Sequence, residues 1–154
     1  MNSLYLLLEF VHVSAVIVWL GGFVTLALLN ARLARSGETA AQAAMARQSE
    51  RFGRTVIGPA MGVALLAGLW MAGQFGIPFT AAWVVWGLIG FVGFIALGVV
   101  GIGRIGAELG ALAQTASPND PRVAAARRRM SLLTVLSGLL MLSVVWAMVF
   151  KPTF

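Results

Sequence analysis

The sequence predicts an all-α integral membrane protein, a four-helix bundle with both termini on the outer side of the membrane. The chain is 60% hydrophobic and only 10% charged, whereas soluble domains carry about 25% charged residues. No charged side chain occurs from Phe10 to Ala31, from Thr55 to Gly103 or from Met130 to Phe150. A spanning helix needs roughly 20 mostly apolar residues. The first and last stretches therefore supply one span each, and the middle stretch supplies two.

The domain organisation follows from these stretches. We expect a single domain over residues 1–154, with spans at about 4–30, 55–75, 82–103 and 130–150. Every arginine lies in the two connecting loops, 31–54 and 104–129. Short loops rich in Lys and Arg stay in the cytoplasm. The pattern thus predicts a multi-pass protein of a bacterial inner membrane, with both termini periplasmic or extracellular.

The arginine-rich loops are expected to contact the membrane surface. In the first loop, helical spacing places apolar residues on one side and charged residues on the other, the charged ones being Arg47, Glu50, Arg51 and Arg54. Such a basic amphipathic segment suits a bilayer with anionic lipid head groups on its cytoplasmic face. Binding to nucleic acid is not expected, because no aromatic residues are interleaved with the basic ones. The chain has no cysteine, which excludes disulfides and thiolate metal sites.

Local signals predict where helices end and where they approach one another. Asp120 followed by Pro121 is typical of an N-cap and a first helical position, so the last helix is expected to run from Pro121 to Phe150. Small residues let membrane helices pack closely. Two groups of glycines are expected to do so, namely Gly58-x-x-x-Gly62 and the series Gly87, Gly90 and Gly93.

His12 is the candidate ligand for a metal or cofactor. It is the only histidine, and ionisable residues inside a membrane often mark function. We expect it to bind haem b iron or copper, with Glu9, three residues earlier, orienting the ring as a hydrogen-bond acceptor. The alternative is that His12 hydrogen-bonds a neighbouring helix and fixes packing, with no cofactor bound.

The second ligand is predicted from depth in the membrane. Counted from the outer ends, His12 is level with about Leu66 to Met71 on the second span and Leu140 to Val144 on the fourth. Met71 and Met141 are therefore the candidate partners for His–Met coordination. The alternative for both methionines is ordinary core filling. A di-iron centre is excluded, since the chain lacks the second Glu-x-x-His pair and the further glutamates that such a centre needs.

Three stretches together resemble a known family. They are Leu6-Leu7-Leu8-Glu9-Phe10-Val11-His12 with Val18-Trp19-Leu20-Gly21-Gly22, then Phe52-Gly53-Arg54 with Gly58-Pro59 and Gly68-Leu69-Trp70, and finally Met148-Val149-Phe150-Lys151-Pro152. In this order they resemble the small bacterial four-span proteins grouped as a predicted integral membrane family of unknown function. The first helix is also distantly similar to copper-resistance D-type proteins and to small haem-dependent membrane protoporphyrinogen oxidases. That second resemblance implies that His12 holds haem, although Glu9 stands where those proteins are expected to carry lysine.

Two functional hypotheses follow. The first is a redox protein that binds haem or copper at His12. The second is a non-catalytic assembly or accessory module, whose basic cytoplasmic face contacts a membrane partner protein, or which forms a homodimer. A transporter is disfavoured, because no ionisable residue lies deeper in the membrane than His12. No paired carboxylates, nucleophilic triad or phosphate-binding loop points to an enzyme class.

Overall fold

The computed structural model describes residues 2–36, 39–115, 117 and 120–152. These residues form helices and contain no strand. The α-helices are α1 (Ser3–Ser36), α2 (Thr39–Phe52), α3 (Gly58–Gln74), α4 (Ala82–Phe94), α5 (Ile102–Thr115) and α6 (Pro121–Phe150), with π-helical segments at Gly53–Ile57 and Ile95–Gly101. Four continuous helical stretches are long and apolar enough to cross a membrane: Ser3–Arg35, Ala44–Gln74, Ala82–Thr115 and Pro121–Phe150. The predicted all-α fold with four membrane-spanning helices is confirmed.

The chain divides into two compact units, Met1–Phe79 and Thr80–Phe154. In the first unit, α1 and α3 run antiparallel. Tyr5 meets Phe75 edge to face, with ring centroids 5.1 Å apart, while a methyl group on Gly22 would lie 3.2 Å from Ile57 Cγ1. These two contacts fix the register of the pair over most of its length.

Helix α2 packs against the end of α1 that carries the arginines. The side chain of Gln42 donates to the Leu33 carbonyl at 3.1 Å, and Asn30 Nδ2 donates to Ser49 Oγ at 3.1 Å. The predicted loop 31–54 is therefore mostly helical. Its polar contacts with α1 leave the opposite side of α2, which carries Arg47 and Arg51, directed away from α1.

The helix that contains the second predicted span is longer than the span itself, because it is continuous from Ala44 to Gln74. The π-helical segment Gly53–Ile57 joins α2 to α3 directly before Pro59. Proline lacks an amide hydrogen, and its ring collides with the carbonyl four residues earlier, here that of Thr55. The wider π turn accommodates this conflict and lets the helix continue.

In the second unit, α4 packs antiparallel to α6 through glycines. An added methyl would overlap Met148 Cε at Gly87 and Val144 Cγ2 at Gly90, and at Gly93 it would lie 2.9 Å from Leu140 Cδ2. The predicted close approach along this series is confirmed. The pair Gly58-x-x-x-Gly62 makes no such contact within its own unit, since a methyl on Gly62 would have no described atom within 4 Å.

Helix α6 begins and ends where the local signals predicted. The Asp120 carboxylate accepts from the Arg122 amide at 2.8 Å and pairs with the Arg122 guanidinium at 2.8 Å, which lowers the pKa of Asp120 from its ordinary value. At the other end, Lys151 takes the left-handed conformation with φ 45°. Its ammonium lies 5.4 Å from the centroid of the Trp83 ring, at cation–π distance.

The helices expose apolar side chains, as expected in lipid. Large apolar side chains that are 64–69% exposed occur on four different helices, namely Phe10, Leu66, Val92 and Val149. In water such a surface would drive association. In a bilayer it contacts acyl chains, and helix pairing depends on close packing of the kind seen at the α4 glycines.

Candidate functional site

The imidazole of His12 lies in the contact between α1 and α3. Its Nδ1 is 2.7 Å from the carbonyl oxygen of Ala64. A carbonyl oxygen only accepts hydrogen bonds, so Nδ1 must carry the hydrogen. In the neutral ring, Nε2 then keeps a free lone pair. The hydrogen bond thus selects one tautomer and leaves Nε2 as the nitrogen that can bind a ligand.

Gly68 makes the room that the imidazole occupies. A methyl group at this position would lie 3.0 Å from His12 Cε1 and 3.1 Å from Nδ1, closer than ordinary carbon contacts. Ala64, four residues earlier on the same face of α3, is almost fully buried. The pair Ala64-x-x-x-Gly68 therefore forms a shallow seat on α3, into which the ring of His12 fits.

Gly68 lies within the stretch from Leu66 to Met71 that was predicted to be level with His12. Ala64, whose carbonyl accepts the hydrogen bond, precedes that stretch. Neither residue was predicted to contact His12. A signal was nevertheless present, because two small residues at a spacing of four are typical of close helix approach.

Glu9 is half-buried on α1, one turn from His12. The hydrogen on Nδ1 goes to the Ala64 carbonyl, so the expectation that Glu9 accepts it is corrected. Glu9 has no ion pair among the described residues, whose pairs are Arg54–Glu50, Arg122–Asp120 and Arg129–Glu108. The Ala64 carbonyl, and not the Glu9 carboxylate, accepts the hydrogen because it faces the imidazole from the packed helix α3.

The two candidate methionines lie in different units. Met71 is half-buried on α3, three residues beyond Gly68, which corresponds to about 4.5 Å along the helix axis. Met141 on α6 is 4% exposed, and its Cε would lie 3.9 Å from a methyl on Gly90. Met141 therefore packs against α4 inside the second unit. Among the residues that the structure describes, no three His, Cys, Asp or Glu side chains cluster as a metal site would require.

An apolar groove runs along one side of the α1–α3 contact that contains His12. Its volume is about 360 Å³. Its walls come from two helical faces with matching spacing, formed by Leu4, Leu7, Leu8 and Val11 on α1 and by Val63, Leu66, Ala67 and Trp70 on α3. Leu8 and Ala67 are buried at the bottom of the groove, and Val11 and Ala67 are next in sequence to His12 and Gly68. His12 itself does not line the groove, whose walls are entirely apolar.

Comparison with known proteins identifies a family and nothing closer. A family model described as a predicted integral membrane protein (DUF2269) matches residues 6–152. No curated protein matches the chain. The same is true of solved structures. The match includes His12, Ala64 and Gly68.

Proposed function

The chain belongs to this family of predicted integral membrane proteins, and we propose that it binds a redox cofactor through Nε2 of His12, haem b in the first place and copper as the alternative. The supporting observation is the hydrogen bond from Nδ1 to the Ala64 carbonyl at 2.7 Å. Histidines that bind metals commonly donate their other ring N–H to a carbonyl or carboxylate, which fixes the tautomer and raises the basicity of the ligating nitrogen.

The residues present fit a group that needs one imidazole and an apolar surround. Bound haem would supply one-electron chemistry at its iron. His12 would hold the iron through Nε2, and Gly68 keeps the space in which its ring is oriented. A second ligand would come from Met71, which lies in the same unit as His12, or from His12 of a second copy of the chain.

The experiment is to express the full chain in haem-replete cells and to measure its visible spectrum and metal content after purification. His12→Ala should abolish the Soret band and the bound metal. Met71→Ala or Met141→Ala should convert low-spin to high-spin haem only if that methionine is a ligand. Circular dichroism of each variant controls for folding. Unchanged haem and copper content in a folded His12→Ala variant would overturn the proposal.

The second candidate is a non-catalytic assembly or accessory module. The observation that favours it is that the His12–Ala64 hydrogen bond joins α1 to α3, which gives His12 a packing role. In that role the arginines of α2 and α6 would contact a membrane partner protein. A colourless, metal-free preparation from haem-replete cells would favour this function over the first.

Sidedness is part of the same proposal. The arginine-bearing ends face the bacterial cytoplasm and its anionic lipid, and both termini face the periplasm or exterior. Every arginine lies in the two connections between residues 31–54 and 104–129, and this distribution supports the assignment. Reporter fusions at Phe79 should report the outside, and fusions at Gly37 the inside. An outside signal at Gly37 would reverse the topology.

A further inference from the structure

We infer that the outward side of α2 holds the phosphate of an anionic glycerophospholipid in a pocket formed by three arginines. The pocket has a volume of about 310 Å³ and is lined by Arg47, Glu50, Arg51, Arg54 and Thr55. These positions recur at helical spacing on a single side of the chain. The three guanidinium groups and one carboxylate give the pocket a net charge of +2, which favours an anion.

The arginines are available to a ligand outside the protein. Helix α2 contacts α1 through Gln42 and Ser49, and the pocket lies on the opposite side. Arg54 pairs with Glu50, yet their side chains remain 77% and 63% exposed. Because one carboxylate cannot neutralise three guanidinium groups, the pocket keeps an excess of donors that phosphate oxygens can accept from.

The depth of the pocket in the membrane favours the phosphate of a lipid as its ligand. The Tyr5–Phe75 contact marks the end of the α1–α3 pair that carries no arginine, and Gly22 is level with Ile57. The 17 residues from Tyr5 to Gly22 correspond to about 26 Å of helix, close to the hydrocarbon thickness of about 30 Å. Arg54 precedes Ile57 by three residues and therefore lies at the boundary between hydrocarbon and head groups.

Arg51 and Arg47 continue from this boundary into the head-group layer. They lie about 4.5 Å and about 10 Å further along the helix than Arg54, and the head-group layer of one leaflet is roughly 5–8 Å thick. The three arginines thus cross the layer in which lipid phosphates lie. This placement of the arginines requires only that the helices span the bilayer, and it depends neither on His12 nor on which side is cytoplasmic.

The surface beside Arg54 suits the acyl chains of the same lipid. Gly58 and Pro59 are exposed where α3 enters the hydrocarbon. A methyl on Gly62, one turn deeper, would meet no described atom within 4 Å. Next to the pocket, α3 therefore presents a surface with little side-chain bulk, along which an acyl chain can lie while its phosphate stays with the arginines.

The test is native mass spectrometry of the full chain in detergent, titrated with dioleoylphosphatidylglycerol and, separately, with dioleoylphosphatidylcholine. The anionic lipid should bind more tightly. Each basic side chain near the surface contributes a factor of about five, so replacing Arg47, Arg51 and Arg54 together by glutamine should weaken phosphatidylglycerol binding about 100-fold. The phosphatidylcholine affinity should fall by much less, because the choline cation offsets the charge of its phosphate.

The matched control replaces Arg127, Arg128 and Arg129 by glutamine, which removes the same charge from α6. An equal loss of phosphatidylglycerol affinity in this control would overturn the pocket, because it would mean that overall charge alone attracts the lipid. Displacement of the lipid by inorganic phosphate would overturn the choice of a lipid phosphate. Glu50→Gln should tighten phosphatidylglycerol binding about fivefold, since it removes the opposing carboxylate. Unchanged or weaker binding in Glu50→Gln would also refute the assignment.

Discussion

Replacing Gly68 with alanine tests whether the seat on α3 determines the orientation of His12. The added methyl would lie 3.0 Å from Cε1 and 3.1 Å from Nδ1 of the imidazole. Carbon atoms in contact prefer about 3.5–4.0 Å, so the ring must retreat by about 0.5 Å. The bond from Nδ1 to the Ala64 oxygen, now 2.7 Å, would then approach 3.2 Å, roughly the limit for N–H···O bonds.

The free-energy cost of Gly68→Ala is that of a weakened hydrogen bond between membrane helices, about 0.6 kcal/mol on average and about 1.7 kcal/mol at most. Alanine also favours the helix by up to about 1 kcal/mol relative to glycine, which would mask the loss. Gly62→Ala on the same helix is the matched control, because its methyl meets no described atom within 4 Å. Gly68→Ala should therefore be less stable than Gly62→Ala by about 0.6–1.7 kcal/mol.

Two measurements follow the change. Unfolding in SDS gives the stability difference. Nitrogen-15 NMR of the imidazole reports the tautomer without ambiguity, because the chain has a single histidine. The unmodified protein should carry the hydrogen on Nδ1, and Gly68→Ala should shift both ring nitrogens. A hydrogen found on Nε2, or equal stability together with unchanged imidazole signals in Gly68→Ala, would refute the geometry.

Two further predictions concern the second unit. Gly90→Ala should destabilise the protein by about 1–2 kcal/mol in SDS unfolding, because the methyl overlaps the stiff side chain of Val144; Gly87→Ala should be nearly neutral, since the flexible end of Met148 can move aside. Asp120→Ala should increase amide exchange at the start of α6. Because the pKa of Asp120 is lowered from 3.8, its stabilising contribution is complete at neutral pH and is lost as the pH falls through that lowered pKa. Asp120→Asn should keep the cap and remove this pH dependence.

The features predicted well from sequence are those that depend on local chemistry. The charge-free stretches give the four spans, because a charged side chain is costly in hydrocarbon whatever its neighbours are. Asp120 and Pro121 mark the start of α6 because an N-cap acts on amides of the same turn. The close packing at Gly87, Gly90 and Gly93 was likewise predicted, because glycines at a regular spacing of three leave one face of α4 without side chains.

The features that could not be predicted from the sequence depend on the backbone, either of a neighbouring helix or of the helix itself. The acceptor for His12 is the backbone carbonyl of Ala64. Because every residue type carries a carbonyl, no side chain in the sequence indicates which one accepts this hydrogen bond. Glu9 was predicted as the acceptor because it is a side chain with acceptor oxygens three residues before His12. Similarly, the π-helical segment at Gly53–Ile57 leaves no hydrophobic signature, although Pro59 provides a hint that the helix must adjust before it.

The hydroxyl of Ser137 on α6 provides a last prediction. Ser137 has an exposed fraction of 0%, and its Oγ has no hydrogen-bond partner among the described residues. It lies between Leu133 and Leu140, which face Gly101 and Gly93, and so it is level with the π-helical segment Ile95–Gly101. A buried hydroxyl without a partner costs about 1–3 kcal/mol.

Ser137→Ala should therefore stabilise the protein, by about 1 kcal/mol after the small cavity is discounted. Ser143→Ala is the matched control, because Ser143 Oγ accepts from Trp86 Nε1 at 3.1 Å and donates to the Leu140 carbonyl at 2.7 Å. Its loss should destabilise by about 1 kcal/mol, since the indole N–H loses its acceptor. SDS unfolding compares the two variants directly. If Ser137→Ala is destabilised as much as Ser143→Ala, the Ser137 hydroxyl has a partner, and a water bound at the π-helical carbonyls becomes the explanation to test.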